Sequence, residues 1–231
     1  MNPSARSGQE TRFPTPGEKP IRTRIKLCGF TRARDIEGAA RLGADAIGLV
    51  CVPGSKRELS PAQAAELRQH VPPFVATVLL LSNADEAFAR EAIDKVRPDF
   101  VQYHGTETGR FCASLGRPYF KAVPVSSQKD VIEAARQFPS AAALLLDSHG
   151  ADGMGGTGEA FDWSLIPRNL DMALILAGGL TPANVGRAVR MAAPYAVDVS
   201  SGIENGPGRK DFEKMKAFVE AVRLADSEMP R

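Results

Sequence analysis

The chain has 231 residues, 43% hydrophobic and 24% charged, which is ordinary for a globular protein and long enough to bury a core without disulfide or metal staples. Its 29 basic and 27 acidic residues leave a formal net charge of +2, too balanced for a broad nucleic-acid-binding face but compatible with a few cations focused on one small anion. No apolar run approaches the roughly 18 residues of a membrane span.

Met1–Pro20 carries Pro, Ser and Arg and almost no aliphatic side chains. It lacks the apolar stretch of a secretory signal and reads as a disordered tail outside the fold. From Ile21 to the end, short apolar runs alternate with amphipathic stretches. Arg24–Cys28 reads as a strand, then Arg32–Leu42 as a helix with Thr31 as its N-cap. Ala46–Val50 is a strand and Pro61–His70 a helix capped by Ser60, with Pro61 at the tolerated first position. Phe74–Leu81 and Ala84–Lys95 follow as strand and helix, then Phe100–Tyr103 and Glu107–Leu115. Tyr119–Val123 and Gln128–Gln137 continue the rhythm. Ala142–Asp147 is a strand leading into a long Gly-rich loop and a turn near Asp162–Ile166. Leu174–Ala177 is a strand, Pro182–Met191 a helix capped by Thr181, Ala196–Val199 a strand and Asp211–Ala225 the last helix.

Strict alternation demands parallel strands with crossover helices, and near-continuous apolar strands are expected where both faces are buried. Eight units in about 210 residues favour closure over an open sheet. The expected fold is therefore α/β, a single (β/α)8 barrel of the TIM type over residues 21–231.

In such barrels the active site lies where strand C-termini meet their loops. The first strand ends in Cys28. A free Cys is commonly a small buried hydrophobe, but alternation puts Lys26 on the same face. An ammonium there would lower the thiol pKa from about 8.5 and make a general base; Lys26 is alternatively a structural partner or a substrate contact. The sixth strand ends in Asp147. Partial burial, with Asp198 nearby, would keep its carboxyl protonated as a general acid; the plainer alternative is a cap of the following loop. Gly178-Gly179 and Ser200-Ser201-Gly202 follow the seventh and eighth strands, where barrels frequently hold phosphate on backbone N–H groups, although glycines there also serve tight turns. Arg57 is either a solvated loop charge or a clamp for a substrate carboxylate. Gln102 and His104 close the fourth strand; His104 is either catalytic or, as is commoner, a satisfied structural histidine. His149 receives no role.

Gly153-Met154-Gly155-Gly156-Thr157-Gly158 fits a dinucleotide fingerprint by letters alone. It does not directly follow a strand, and Gly178 stands where a ribose-binding carboxylate belongs, so a mobile active-site loop explains it better. The three cysteines, Cys28, Cys51 and Cys112, form no CxxC and no zinc spacing, as for reduced thiols of a cytoplasmic protein; Cys51 and Cys112 read as core or loop filler.

Together these residues resemble the phosphoribosylanthranilate isomerase family. The resemblance rests on Ile25-Lys26-Leu27-Cys28-Gly29, Ser55-Lys56-Arg57 with Ser60-Pro61, Gln102-Tyr103-His104-Gly105 and Leu145-Leu146-Asp147. It continues through Gly155-Gly156-Thr157-Gly158 with Phe161-Asp162-Trp163, Ala177-Gly178-Gly179-Leu180 with Asn184-Val185, Asp198-Val199-Ser200-Ser201-Gly202 and Pro207-Gly208-Arg209-Lys210-Asp211. Tyr103 departs from the family's usual Leu, and Val50-Cys51-Val52-Pro53 stands where aromatics are expected.

The resemblance implies an Amadori rearrangement in tryptophan biosynthesis, with Cys28 as base and Asp147 as acid. The implied substrate-binding set is Lys26, Arg57, Gln102, His104, Gly178, Gly179, Asp198, Ser200, Ser201 and Gly202, with no metal or redox cofactor. The partner is a small-molecule substrate rather than nucleic acid or membrane, and the chain acts as a monomer or homodimer. The histidine-pathway isomerase on the same fold is the nearest rival; it carries a carboxylate where this chain has Cys28.

Overall fold

The computed structural model describes residues 22–148, 162–167 and 170–229. The expected tail at 1–20, the Gly153–Gly158 run, His149 and Phe161 lie outside the described residues. The first half runs β1 (Arg24–Cys28), α1 (Ala33–Leu42), β2 (Ala46–Val50), α2 (Pro61–Arg68), β3 (Ala76–Leu81), α3 (Glu86–Val96), β4 (Phe100–Tyr103) and α4 (Gly109–Ser114). The second half runs β5 (Tyr119–Pro124), α5 (Gln128–Gln137), β6 (Ala143–Asp147), a 3-10 turn at Trp163–Leu165, β7 (Leu174–Leu176), α6 (Val185–Ala192) and β8 (Ala196–Val199). A second 3-10 turn (Ser201–Ile203), a small hairpin of β9 (Glu204–Gly206) and β10 (Arg209–Lys210), and α7 (Phe212–Glu228) complete it.

Strands β1 to β8 close into one barrel in sequence order. The seam is parallel pairing of β1 with β8, which sets Lys26 opposite Asp198; on its other side Cys28 pairs with Gly48 of β2. Successive side chains point to opposite faces. One row, including Leu27, Ile47, Leu79, Val101, Tyr103, Leu144 and Val197, packs outward against the helices. Burying each such Leu or Ile contributes about 1.5–3 kcal/mol. The other row fills the interior with Ala122, Ala143, Leu145, Ile175, Ala177 and Ala196. The same parity puts Lys26, Cys28, Gly48, Gln102, Asp147 and Asp198 inside.

One of the three expected caps holds: Ser60 and Gln63 form a reciprocal capping box on α2, with Pro61 in its first turn, while Asp211, expected inside the last helix, caps α7. Two expected caps differ. The cap position of α1 is Arg32, and the Thr31 hydroxyl instead donates to the Gly208 carbonyl. The cap position of α6 is Asn184, whose side-chain oxygen accepts from the Thr181 N–H in the preceding turn. Strand β3 begins at Ala76 rather than Phe74, because Phe74 is fully exposed and left-handed at φ 69, a conformation a strand does not use.

Candidate active site

The C-terminal ends of the strands surround a cavity of about 190 Å³. Its wall includes Cys28, Arg57, Gln102, His104, Asp147, Gly178, Gly179, Asp198, Ser200 and Ser201. Ten candidate positions scattered over some 170 residues of chain thus converge on one site. Lys26 lies one interior layer below, and Gly202 sits behind the wall, where an added side chain would collide with the Leu180 carbonyl.

Lys26 donates to Asp198 at 2.8 Å, both side chains being nearly inaccessible. Burial alone would lower the Lys26 pKa, but Asp198 and Cys28 outweigh it and hold the ammonium charged. For Cys28 the balance falls the other way. Burial pushes the thiol up, and the pull of Lys26 and Lys210 toward thiolate does not overcome it. The expected lowering of the Cys28 pKa is thereby corrected. The ammonium stands where strand alternation places it, but desolvation is the larger effect. Cys51 and Cys112 belong to the helix-packed core, and burial pushes both thiols up to about 12.

Across the cavity, Gln102 Nε2 donates to His104 Nδ1 at 3.0 Å, and His104 Nε2 lies 3.6 Å from the Asp147 carboxylate. Burial lowers the His104 pKa against the opposing pull of Asp147, so the imidazole is neutral near pH 7. The Gln102 carbonyl oxygen is buried without a protein partner. Behind this wall Lys121 donates to the carbonyls of Gly105 and Ala122 at 2.6 and 2.9 Å, and Glu107 accepts from the Gly105 N–H at 3.0 Å. These contacts fix the backbone that carries His104.

The remaining wall suits an anion. Gly178 and Gly179 both take left-handed backbone, φ 77 and 61, which brings the loop after β7 close to Asp147. Ser200 and Ser201 face them from the end of β8.

Sequence reasoning missed four contributors. Val50 and Leu80 give the cavity an aliphatic flank. Gly48 leaves room for Cys28, since a Cβ there would run into the sulfur. A glycine inside the apolar run Ala46–Val50 was the available signal, because such glycines mark close approach. The fourth is Glu204, which accepts from Arg57 Nε and Nη2 at 2.7 and 2.6 Å and from Lys210 at 2.7 Å. These cations hold the Glu204 pKa down in spite of burial. Arg57 is therefore a paired, half-buried guanidinium and not a solvated loop charge. Tyr103, the departure from the family pattern, points away from the cavity and packs edge-on against Tyr119 and Phe111. Among the described residues no cluster of three or more His, Cys, Asp or Glu is arranged to hold a metal, and no helix is long and apolar enough to cross a membrane.

A closed parallel barrel with a thiol, a carboxylate and two Gly/Ser loops around one cavity at its strand ends has the architecture of a (β/α)8 enzyme with its site at the strand C-termini. The profile of N-(5'phosphoribosyl)anthranilate (PRA) isomerase matches residues 25–221. The N-(5'-phosphoribosyl)anthranilate isomerase of Nitrosococcus oceani is 50% identical over 202 residues, covering 87% of this chain and 98% of that protein. The Thermotoga maritima phosphoribosyl anthranilate isomerase structure superposes with a TM-score of 0.79 at 36% identity, over 87% of this chain and 99% of that one. A phosphoribosyl anthranilate isomerase solved with reduced 1-(o-carboxyphenylamino)-1-deoxyribulose 5-phosphate gives a TM-score of 0.76 at 35% identity, with the same coverage. This chain belongs to the N-(5'-phosphoribosyl)anthranilate isomerase family.

Proposed function

We propose that the cavity carries out the Amadori rearrangement of N-(5-phosphoribosyl)anthranilate to 1-(2-carboxyphenylamino)-1-deoxyribulose 5-phosphate, a step of tryptophan biosynthesis. The observation that carries the assignment is that Cys28 and Asp147 line one cavity, between a Gly/Ser anion wall and a cationic Arg57. A relative 35% identical to this chain holds the reduced product in its crystal structure.

Asp147 protonates the furanose ring oxygen, and the anomeric C–O bond opens to a Schiff base. The Cys28 thiolate then removes the C2 proton, and the electron pair moves to the imine nitrogen as the enolamine forms. Tautomerisation gives the ketone. One acid and one base supply about 10²–10⁴-fold each. Lys26 and Lys210 offset part of the burial that pushes the Cys28 thiol up, and so stabilise the thiolate formed in the step. The neutral His104 stands beside Asp147, where its Nε2–H can donate to the carboxylate after proton transfer. Gly178, Gly179, Ser200 and Ser201 hold the phosphate, Arg57 the anthranilate carboxylate, and Val50 and Leu80 flank the ring.

Complementation of a tryptophan auxotroph lacking this isomerase tests the reading. The wild-type chain restores growth and Cys28→Ala does not. In parallel assays the chain turns over phosphoribosylanthranilate; turnover of only the histidine-pathway aminoaldose would overturn the assignment.

A further inference from the structure

Arg57 does not stand free in the cavity wall. Its Nε and Nη2 donate side-on to the two oxygens of Glu204 at 2.7 and 2.6 Å. A guanidinium offers five N–H donors in a rigid plane, so fixing this edge fixes the direction of the others. Glu204 is itself anchored. Lys210 Nζ donates to it at 2.7 Å and to the Ser200 carbonyl at 3.1 Å, with a side chain that is 0% exposed. The carboxylate therefore cannot follow Arg57 if the guanidinium swings. Two cations share one anion here, which leaves the cluster one positive charge for a ligand carboxylate.

We infer that Glu204 is a positioning residue that selects for arylamine substrates bearing a carboxylate, by holding Arg57 with its remaining donors toward the cavity. This rests on the reading that Arg57 binds the substrate carboxylate. A guanidinium already held in place binds a carboxylate more tightly than a mobile one, because less freedom is lost on binding.

The test compares phosphoribosylanthranilate with its phosphoribosylaniline analogue, which lacks the carboxylate. Arg57→Ala raises KM for the carboxylated substrate by about 10–100-fold and spares the analogue. Glu204→Ala raises the same KM by about tenfold, leaves kcat and the analogue near wild type, and adds little in the Arg57→Ala background. Glu204→Gln, which keeps the shape, is read by the same split if the alanine variant fails to fold. Equal losses on both substrates, or additivity with Arg57→Ala, would overturn the role of Glu204 and leave that of Arg57 standing. An Arg57→Ala variant that still prefers the carboxylated substrate would overturn both.

Discussion

The wall formed by β1 and β8 is built on close ion pairs, whereas the wall formed by β4 and β6 carries its Lys–Glu pair behind the backbone. On the first wall Lys26, Asp198, Arg57, Glu204 and Lys210 form close ion pairs around Cys28. On the second, the Lys121–Glu107 pair at 3.6 Å supports the main chain, and the groups that face the cavity are Gln102, a neutral His104 and Asp147. On the proposed reading, the cations of the first wall offset part of the burial that pushes the Cys28 thiol up, a need that the second wall, built around Gln102 and His104, does not have.

The comparison breaks first at the proposed base and acid. Cys28→Ala and Asp147→Asn are each expected to lower kcat by at least about 10²-fold, with circular dichroism unchanged. Activity close to wild type in either variant removes that residue from its role. Next comes the ion pair beneath them. Lys26→Met strands a buried Asp198 charge and is expected to cost about 3–5 kcal/mol in denaturant titrations. It also pushes the Cys28 thiol further up, so alkylation by iodoacetamide slows at every pH below the thiol pKa. A smaller effect is expected at Gly48→Ala, where the added methyl displaces the sulfur at a cost of about 1–3 kcal/mol, with the loss in kcat exceeding any change in KM. The smallest belongs to the wall of β4 and β6. His104 has a folded pKa below its ordinary 6.5, so the unfolded chain binds the proton more readily. Stability is then constant above that value and falls as pH drops from 6.5 through the lower folded pKa. His104→Gln should flatten that slope, and a variant with an unchanged slope would show that another group controls it.

What the sequence made legible was the interior row. Eight apolar runs place their last residues at one end of a barrel, so Cys28, Asp147, Ser200 and the glycines of the β7 loop are located by periodicity alone. Boundaries outside that row were harder. Phe74 has the composition of a strand residue but a left-handed backbone, and Thr31 has the chemistry of a cap but spends its hydroxyl on Gly208. The hairpin from Glu204 to Lys210 is too short to show a period. Its partner Arg57 lies 147 residues earlier, so no local pattern announces the pair. The direction of the Cys28 pKa was equally out of reach, since alternation supplies the neighbouring ammonium but not the depth of burial that outweighs it.

The seam between β1 and β8 carries a consequence for how the molecule is made. Lys26 leaves the ribosome 172 residues before Asp198, yet each is the other's counterion in the finished interior. A nascent chain that lacks β8 has no partner for that ammonium at the place the barrel would enclose it, which disfavours premature collapse of the N-terminal strands around a charge. Closing the ring and equipping Cys28 are thus one event, and a shortened translation product that stops before residue 196 should be inert rather than partly active.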